Sequence, residues 1–170
     1  MAVLVGTRTE RGRDLNGYPP FLDFVSQELL PWIRRRYRIA DDPAHCVVGA
    51  LNLGSVAAAA TALKHPDIFG NVLCQSGAFW RGRDSEVEGE WLTRAFAMRE
   101  RLLLRFSMDV GLLENPRDVP GATLLCANRH LRTVLQAKGY DVHYVEFNGG
   151  HQHLNWQGTL PDSVIALIGT

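Results

Sequence analysis

Three cysteines are too few and too scattered to build a disulfide framework. Cys46, Cys74 and Cys126 stand in or beside apolar segments without a Cys-x-x-Cys spacing, and read as small core residues of a protein from a reducing compartment, the cytoplasm. The sequence lacks any apolar run near the roughly 18 residues that cross a bilayer, so no membrane partner is expected. Met1-Ala-Val-Leu-Val-Gly is too short and too uncharged at its start for a signal peptide and reads as a strand. An excess of one charge is missing too. Lys plus Arg and Asp plus Glu are both 18, which leaves nothing to draw nucleic acid or an anionic surface. The one dense basic run, Arg34-Arg35-Arg36, closes a predicted helix, where cations complement the helix dipole. Repeats, low-complexity tracts and linkers are absent. At 170 residues the chain is expected to form one domain, 1–170.

What is present is organised around Val47-Val48-Gly49-Ala50-Leu51-Asn52-Leu53-Gly54-Ser55. A short apolar strand runs into a one-residue corner and then into a helix through Val56–Leu63. Small residues at Ala50 and Gly54 let strand and helix approach closely around residue 52. This is the layout of a nucleophile elbow, which lifts a side chain above a parallel sheet, and equally of an ordinary strand-turn-helix unit of an α/β domain. The usual corner residue is serine; here it is Asn52. Asparagine enters the positive-φ region more readily than other non-glycine residues, so the turn can survive the exchange. A carboxamide is a poor nucleophile, and the chemistry does not survive it.

Along the chain, Ala2–Val5 reads as a strand, Thr7–Tyr18 as a polar loop, and Pro19 to about Tyr37 as an amphipathic helix. After the elbow come a buried strand at Asn71–Ser76, a loop at Ala78–Gly89 and a helix at Glu90–Leu104. A strand at Phe106–Val110 and a loop with Glu114, Asn115, Pro116 and Pro120 follow. A helix at Ala122–Ala137, a strand at Asp141–Phe147, the loop Asn148-Gly149-Gly150-His151 and a helix at Leu160–Ile168 complete the pattern. Five alternations predict a three-layer α/β/α fold with a mainly parallel five-stranded sheet and helices on both faces.

In such a sheet, functional groups gather beyond the carboxyl ends of the strands. The loops there offer Asn52, Glu114 and His151, in the chain order nucleophile, acid, histidine. Asp109 competes with Glu114 for the acid role, Glu114 being preferred because it follows its strand. His153 forms His-x-His with His151, a chelating spacing without a third ligand nearby, so no metal or cofactor is expected. Ser76 lacks a following helix start and reads as a structural hydroxyl; Ser55 lies a turn past the corner and should point away. Trp80 and Trp156 suit packing, yet both stand in site-facing loops.

Several strings then resemble one family, the enterochelin (ferric enterobactin) esterases and related serine esterases of the α/β-hydrolase fold. They are Gln27-Glu28-Leu29-Leu30-Pro31-Trp32, His65-Pro66-Asp67-Ile68-Phe69-Gly70 running on through Gln75-Ser76-Gly77-Ala78-Phe79-Trp80, Val110-Gly111-Leu112-Leu113-Glu114, Ala127-Asn128-Arg129-His130-Leu131, and Gly149-Gly150-His151 with Trp156. The resemblance spans about Val3 to Leu167. It implies Ser-His-acid hydrolysis of a small-molecule ester, a catecholate siderophore, with His151 as general base and Glu114 orienting it. It also implies a substrate-binding surface that includes Arg11, Trp80 and Trp156.

Three departures bear on activity. Ala50, Asn52 and Ser55 replace the elbow's glycine, serine and following glycine. The family's Arg-x-x-Glu-Leu-x-x-Asn loop stands here as Arg11-Gly12-Arg13-Asp14-Leu15-Asn16-Gly17-Tyr18, with the acid shortened and the asparagine replaced. The chain resembles the C-terminal part of the fold, without its first three strands and one oxyanion-hole donor. The expectation is therefore an inactive member of an ester-hydrolase family. The alternatives are a non-catalytic binding protein for an aromatic or iron-chelating ligand, or a truncated relic. An uncovered sheet edge would also favour homo-oligomers.

Overall fold

The structure, a computed structural model, describes residues 1–7, 9–82, 88–114 and 124–169. The expected features at 115–123, including Pro116, Pro120 and the first turn of the helix from Ala122, lie outside the described residues. Thirteen short elements follow one another. One turn, α1 (Arg11–Asp14), precedes α2 (Pro19–Asp23), a π-helical stretch (Phe24–Leu29) and α3 (Leu30–Arg34). A 3₁₀ turn (Pro43–His45) leads into β1 (Val47–Leu51), α4 (Leu53–Lys64), β2 (Asn71–Gln75) and α5 (Trp91–Met98). Then come β3 (Arg105–Gly111), α6 (Leu124–Ala137), β4 (Asp141–Phe147) and α7 (His153–Ile168).

The four strands lie in the order β1-β2-β3-β4, every neighbouring pair parallel. The central strands are buried and the outer two only half-buried. The two faces differ in chemistry. Val72 and Cys74 of β2 and Phe106 and Met108 of β3 point into the main core beneath α4 and α6. Val56, Ala59 and Ala62 of α4, Leu131 and Leu135 of α6, and Phe96 of α5 fill that layer, with Phe96, Phe106 and Tyr140 packed edge to face. Apart from buried Leu73, the alternate residues of the same strands are mostly polar, and three of them bond to α7. Gln75 donates to the Trp156 carbonyl at 2.8 Å, Asp109 accepts from Thr159 at 2.7 Å, and Arg105 donates to the Leu167 carbonyl at 2.8 Å.

Four expectations need correction. The sheet has four strands among the described residues, because Ala2–Val5 forms none: its side chains are exposed, Leu4 at 96%. An apolar run becomes a strand only where a neighbour takes up its backbone groups, and among the described residues no strand pairs with it or with the outer edge of β1. The polar loop at 7–18 contains the turn α1. The helix from Glu90 stops at Met98, since Arg99 turns extended (ψ 152°); Leu102–Leu104 belong to the approach to β3. The last helix begins at His153, seven residues before Leu160, and carries Pro161 inside it. The helix from Pro19 is also not uniform. Pro31 has no N–H and its ring crowds the carbonyl one turn back, and the wider π turns at Phe24–Leu29 precede it.

Candidate active site

β1 ends at Leu51 and α4 begins at Leu53, leaving Asn52 as the single corner residue at φ 53°, ψ −125°. Its backbone is fully engaged. The Asn52 N–H donates to the Gln75 carbonyl at 2.9 Å, prolonging the β1–β2 ladder, and the Asn52 carbonyl accepts from the N–H groups of Ser55 and Ala78, both at 3.1 Å. A Cβ on Gly54 would stand 2.8 Å from the Ala50 Cβ, so the strand-to-helix approach depends on glycine there. Ser55 is fully buried beneath the turn, its hydroxyl donating to the Ala50 carbonyl at 2.9 Å, and points away as the sequence suggested.

One strand over, Ser76 follows β2 at φ 47°, a region that costs a β-carbon-bearing residue of order 1 kcal/mol. Both sides hold it: its N–H donates to the Asp109 carbonyl at 2.8 Å, and its hydroxyl donates to Glu114 Oε1 at 2.6 Å. Glu114 Oε1 also accepts from the Gly111 N–H at 2.8 Å, while Oε2 meets His151 Nδ1 at 2.6 Å. A carboxylate only accepts, so Nδ1 donates a ring proton to Glu114, and in the neutral imidazole the lone pair then lies on Nε2. Glu114 is 3% exposed and His151 lies on the rim. The Trp156 indole N–H donates to the Ser76 oxygen at 2.8 Å, and the Trp156 ring meets the His151 ring edge to face at 4.7 Å. His151, Glu114, Ser76 and Trp156 thus form a closed circuit drawn from three loops and α7.

Asp109 does not touch His151. Its Oδ2 accepts from Gln75 at 3.1 Å and from Thr159 at 2.7 Å, inside the sheet–α7 layer. Burial pushes its carboxyl above the usual value; the Thr159 and Gln75 hydrogen bonds partly oppose this, and the charge of Glu114 adds to it. Of the two acids the sequence offered, the one hydrogen-bonded to the histidine is Glu114.

Trp80 is half-buried, packed against Val110, Leu124 and Leu125, with the Arg81 guanidinium 5.4 Å over its ring. Trp156 is 5% exposed. Arg11 is exposed on α1 and has no hydrogen bond to any of these residues among those described. His153 packs edge to face on Trp156 at 5.1 Å, and no group of three metal-ligating side chains forms among the described residues. A groove of about 530 Å³ elsewhere, lined by Gly17, Leu22, Lys64, Trp91 and Met98 among others, contains none of the candidate residues. Sequence reasoning missed Gln75 and Thr159 and saw Ser76 only as structural. The available signal was a polar pair, Gln75-Ser76, at the end of an otherwise apolar buried strand.

The family described as Putative esterase matches residues 4–167. The iron(III) enterobactin esterase of Dickeya dadantii is 31% identical over 162 residues, covering 89% of this chain and 36% of the relative. The iron(III) enterobactin esterase of Escherichia coli K12 is 29% identical, covering 94% and 38%. Among solved structures, enterochelin esterase from Shigella flexneri superposes with a TM-score of 0.81 at 28% identity, covering 95% of this chain and 40% of that one. The Shigella flexneri enterobactin esterase in the presence of enterobactin gives 0.80 at 27% identity. The chain therefore spans well under half the length of the relatives it matches.

Proposed function

The chain belongs to the esterase family, and from that premise we propose that it keeps the base half of an ester hydrolase and binds a small ester without forming an acyl-enzyme. The observation that carries this reading is the pairing of His151 Nδ1 with buried Glu114 at 2.6 Å, beyond β3 and β4, across β2 from an elbow whose corner residue is Asn52. The β1–β2 register, with Leu51 beside Gln75 and the Asn52 N–H bonded to the Gln75 carbonyl, supports a reading in which Asn52 stands near Ser76 and the Glu114 circuit. In this reading, His151 Nε2 faces the side chain of residue 52.

With serine at the corner, Nε2 would take the hydroxyl proton as oxygen attacks the ester carbonyl, and Glu114 would hold the imidazolium that results. The first N–H groups of α4, at Leu53 and beyond, would receive the developing oxyanion. An asparagine side chain gives His151 no such proton and has no oxygen nucleophile. It offers an N–H donor and a carbonyl acceptor instead, which suits holding an ester in place. The ligand class we assign is a catecholate siderophore ester, by analogy with the enterobactin and enterochelin esterases it resembles. Trp80 is its aromatic wall and Arg11 its anion contact, with Trp156 supporting His151 from below. The three free cysteines support a reducing, cytoplasmic setting, and the outer edge of β1, unpaired among the described residues, supports pairing between copies.

The test is titration with a tricatecholate triester, followed by tryptophan fluorescence and by chromatography of the products. Saturable quenching without release of hydrolysed units is the expected result. Release of hydrolysed units, or no binding at all, would contradict the reading.

A further inference from the structure

We propose that Asn52 is a self-modifying residue: the elbow presets its side chain to lose ammonia through a cyclic imide with the Leu53 nitrogen, leaving an acid at position 52. The inference rests on the backbone of the turn alone and is independent of whether the chain binds or cleaves an ester.

The argument is stereochemical. Imide closure joins the Leu53 nitrogen to the Asn52 side-chain carbon in a five-membered ring, which requires the Cα–Cβ bond to eclipse the C–N bond to residue 53. For an L-residue that occurs at ψ of about −120°, as follows from tetrahedral geometry at Cα. Helical ψ (about −42°) and strand ψ (about +135°) both hold the next nitrogen well away from Cβ, which is why regular structure shields asparagine from this reaction. Asn52 has ψ −125°, within a few degrees of the closing conformation. It is held there, because its N–H is bonded to Gln75 and its carbonyl to Ser55 and Ala78.

Two further features agree. Leu53 is the first residue of α4, so its N–H is one of those at a helix start without an acceptor inside the helix, and no helix hydrogen bond ties the nitrogen down. The Asn52 side chain makes no capping bond to the helix and is half-buried, which leaves it free to turn and water able to reach it. The positive end of α4 favours the negative charge that builds on the side-chain oxygen as the ring closes.

The steps balance without any oxidant or cofactor. A solvent base takes the Leu53 N–H proton, the nitrogen bonds to Asn52 Cγ, and the Cγ–Nδ2 bond breaks as ammonia leaves with a proton. Water then adds to one of the two imide carbonyls and opens the ring. Opening at the Cγ carbonyl yields aspartate with the chain unaltered; opening at the other yields isoaspartate. Aspartate puts a carboxylate, an oxygen nucleophile, where the sequence supplies an amide.

Folding should reverse the usual order of reactivity. In an unfolded chain the bulky Leu53 slows closure at Asn52, whereas Asn148, followed by Gly149, reacts readily because glycine leaves its nitrogen uncrowded. The experiment incubates the whole chain at mildly alkaline pH, folded and in urea, with circular dichroism to verify both states. Peptide mass spectrometry then measures amide loss at both sites, and hydroxylamine, which cleaves imides, is added to parallel samples. The expected result is conversion at Asn52 at least about tenfold faster folded than unfolded, as a preset reactive geometry gives, with isoaspartate present and hydroxylamine cleavage between residues 52 and 53. The Asn52→Gln chain, whose longer side chain would have to close a six-membered ring, should stay an amide. Conversion at Asn52 that is equal or slower in the folded chain, or acid formed without isoaspartate or hydroxylamine-sensitive imide, overturns the proposal.

Discussion

The two faces of the sheet are built by different forces. Beneath α4 and α6, side chains such as Val72, Phe106, Met108 and Leu131 are excluded from water, and burial of apolar surface at about 25 cal/mol per Å² holds the layer together. Against α7, the same strands present Gln75, Asp109 and Arg105, and the contact is a set of hydrogen bonds to the Trp156 carbonyl, Thr159 and the Leu167 carbonyl. Apolar packing tolerates small shifts in position. Hydrogen bonds do not, because a buried donor or acceptor that loses its partner costs about 1–3 kcal/mol. The candidate site sits on the stitched face: Trp156 belongs to α7, and its N–H reaches the Ser76 hydroxyl that holds Glu114. The face that depends on exact positions is therefore also the one that orients His151.

Substitutions can break this contrast. The largest loss should come from the apolar face: Phe106→Ala, at a fully buried ring, should cost about 3–5 kcal/mol in urea unfolding. If the account is right, the amide and ring NMR signals of His151 should hardly move in this variant at temperatures where it is folded. Ser76→Ala should cost less, about 1–3 kcal/mol, because it orphans the Trp156 N–H and removes one donor from Glu114. Yet it should disturb His151 more, shifting or broadening the downfield proton expected for an Nδ1–H this close to a carboxylate. The reverse ranking of the two variants at His151 would dissolve the distinction between the faces.

Asp109 sharpens the comparison through pH. Its folded carboxyl is raised above the 3.8 of an ordinary aspartate, chiefly by burial. As pH climbs past 3.8, the unfolded chain gives up this proton before the folded one, so this group's contribution to stability falls with rising pH until the raised folded value is passed. Asp109→Asn should remove that slope and lose little or no stability at neutral pH, as pH-resolved thermal melts would reveal. A variant with an unchanged slope would assign the pH dependence elsewhere. The smallest effect should come from the elbow itself. Asn52→Ser alters only a half-buried side chain whose backbone is anchored by its neighbours, and a stability change under about 1 kcal/mol is expected.

These contrasts explain which parts were legible in the sequence. The elbow and β4 were readable because their signals are local: small residues around one corner, and alternation over most of Asp141–Phe147. The absence of strand structure at Ala2–Val5 was not, since pairing depends on a neighbour that no local pattern reveals. The last helix was expected from Leu160, whereas α7 begins at His153 and passes through Pro161. The Glu114–His151 pair followed from loop order beyond the strand ends. The circuit that holds it did not, because Ser76 and Trp156 lie 80 residues apart and meet only through the packing of α7 on the sheet. Buried polar residues in apolar strands carry that information, but their partners cannot be read from spacing.

The central proposal, that a base and its orienting acid remain poised at an elbow without its hydroxyl, is tested most directly by a serine-directed fluorophosphonate probe. Mass spectrometry after treatment should find no adduct on the unmodified chain, an adduct at residue 52 in Asn52→Ser, and none when His151→Ala is added. A folded Asn52→Ser chain that fails to label, or labelling of the unmodified chain at Ser55 or Ser76, would contradict it.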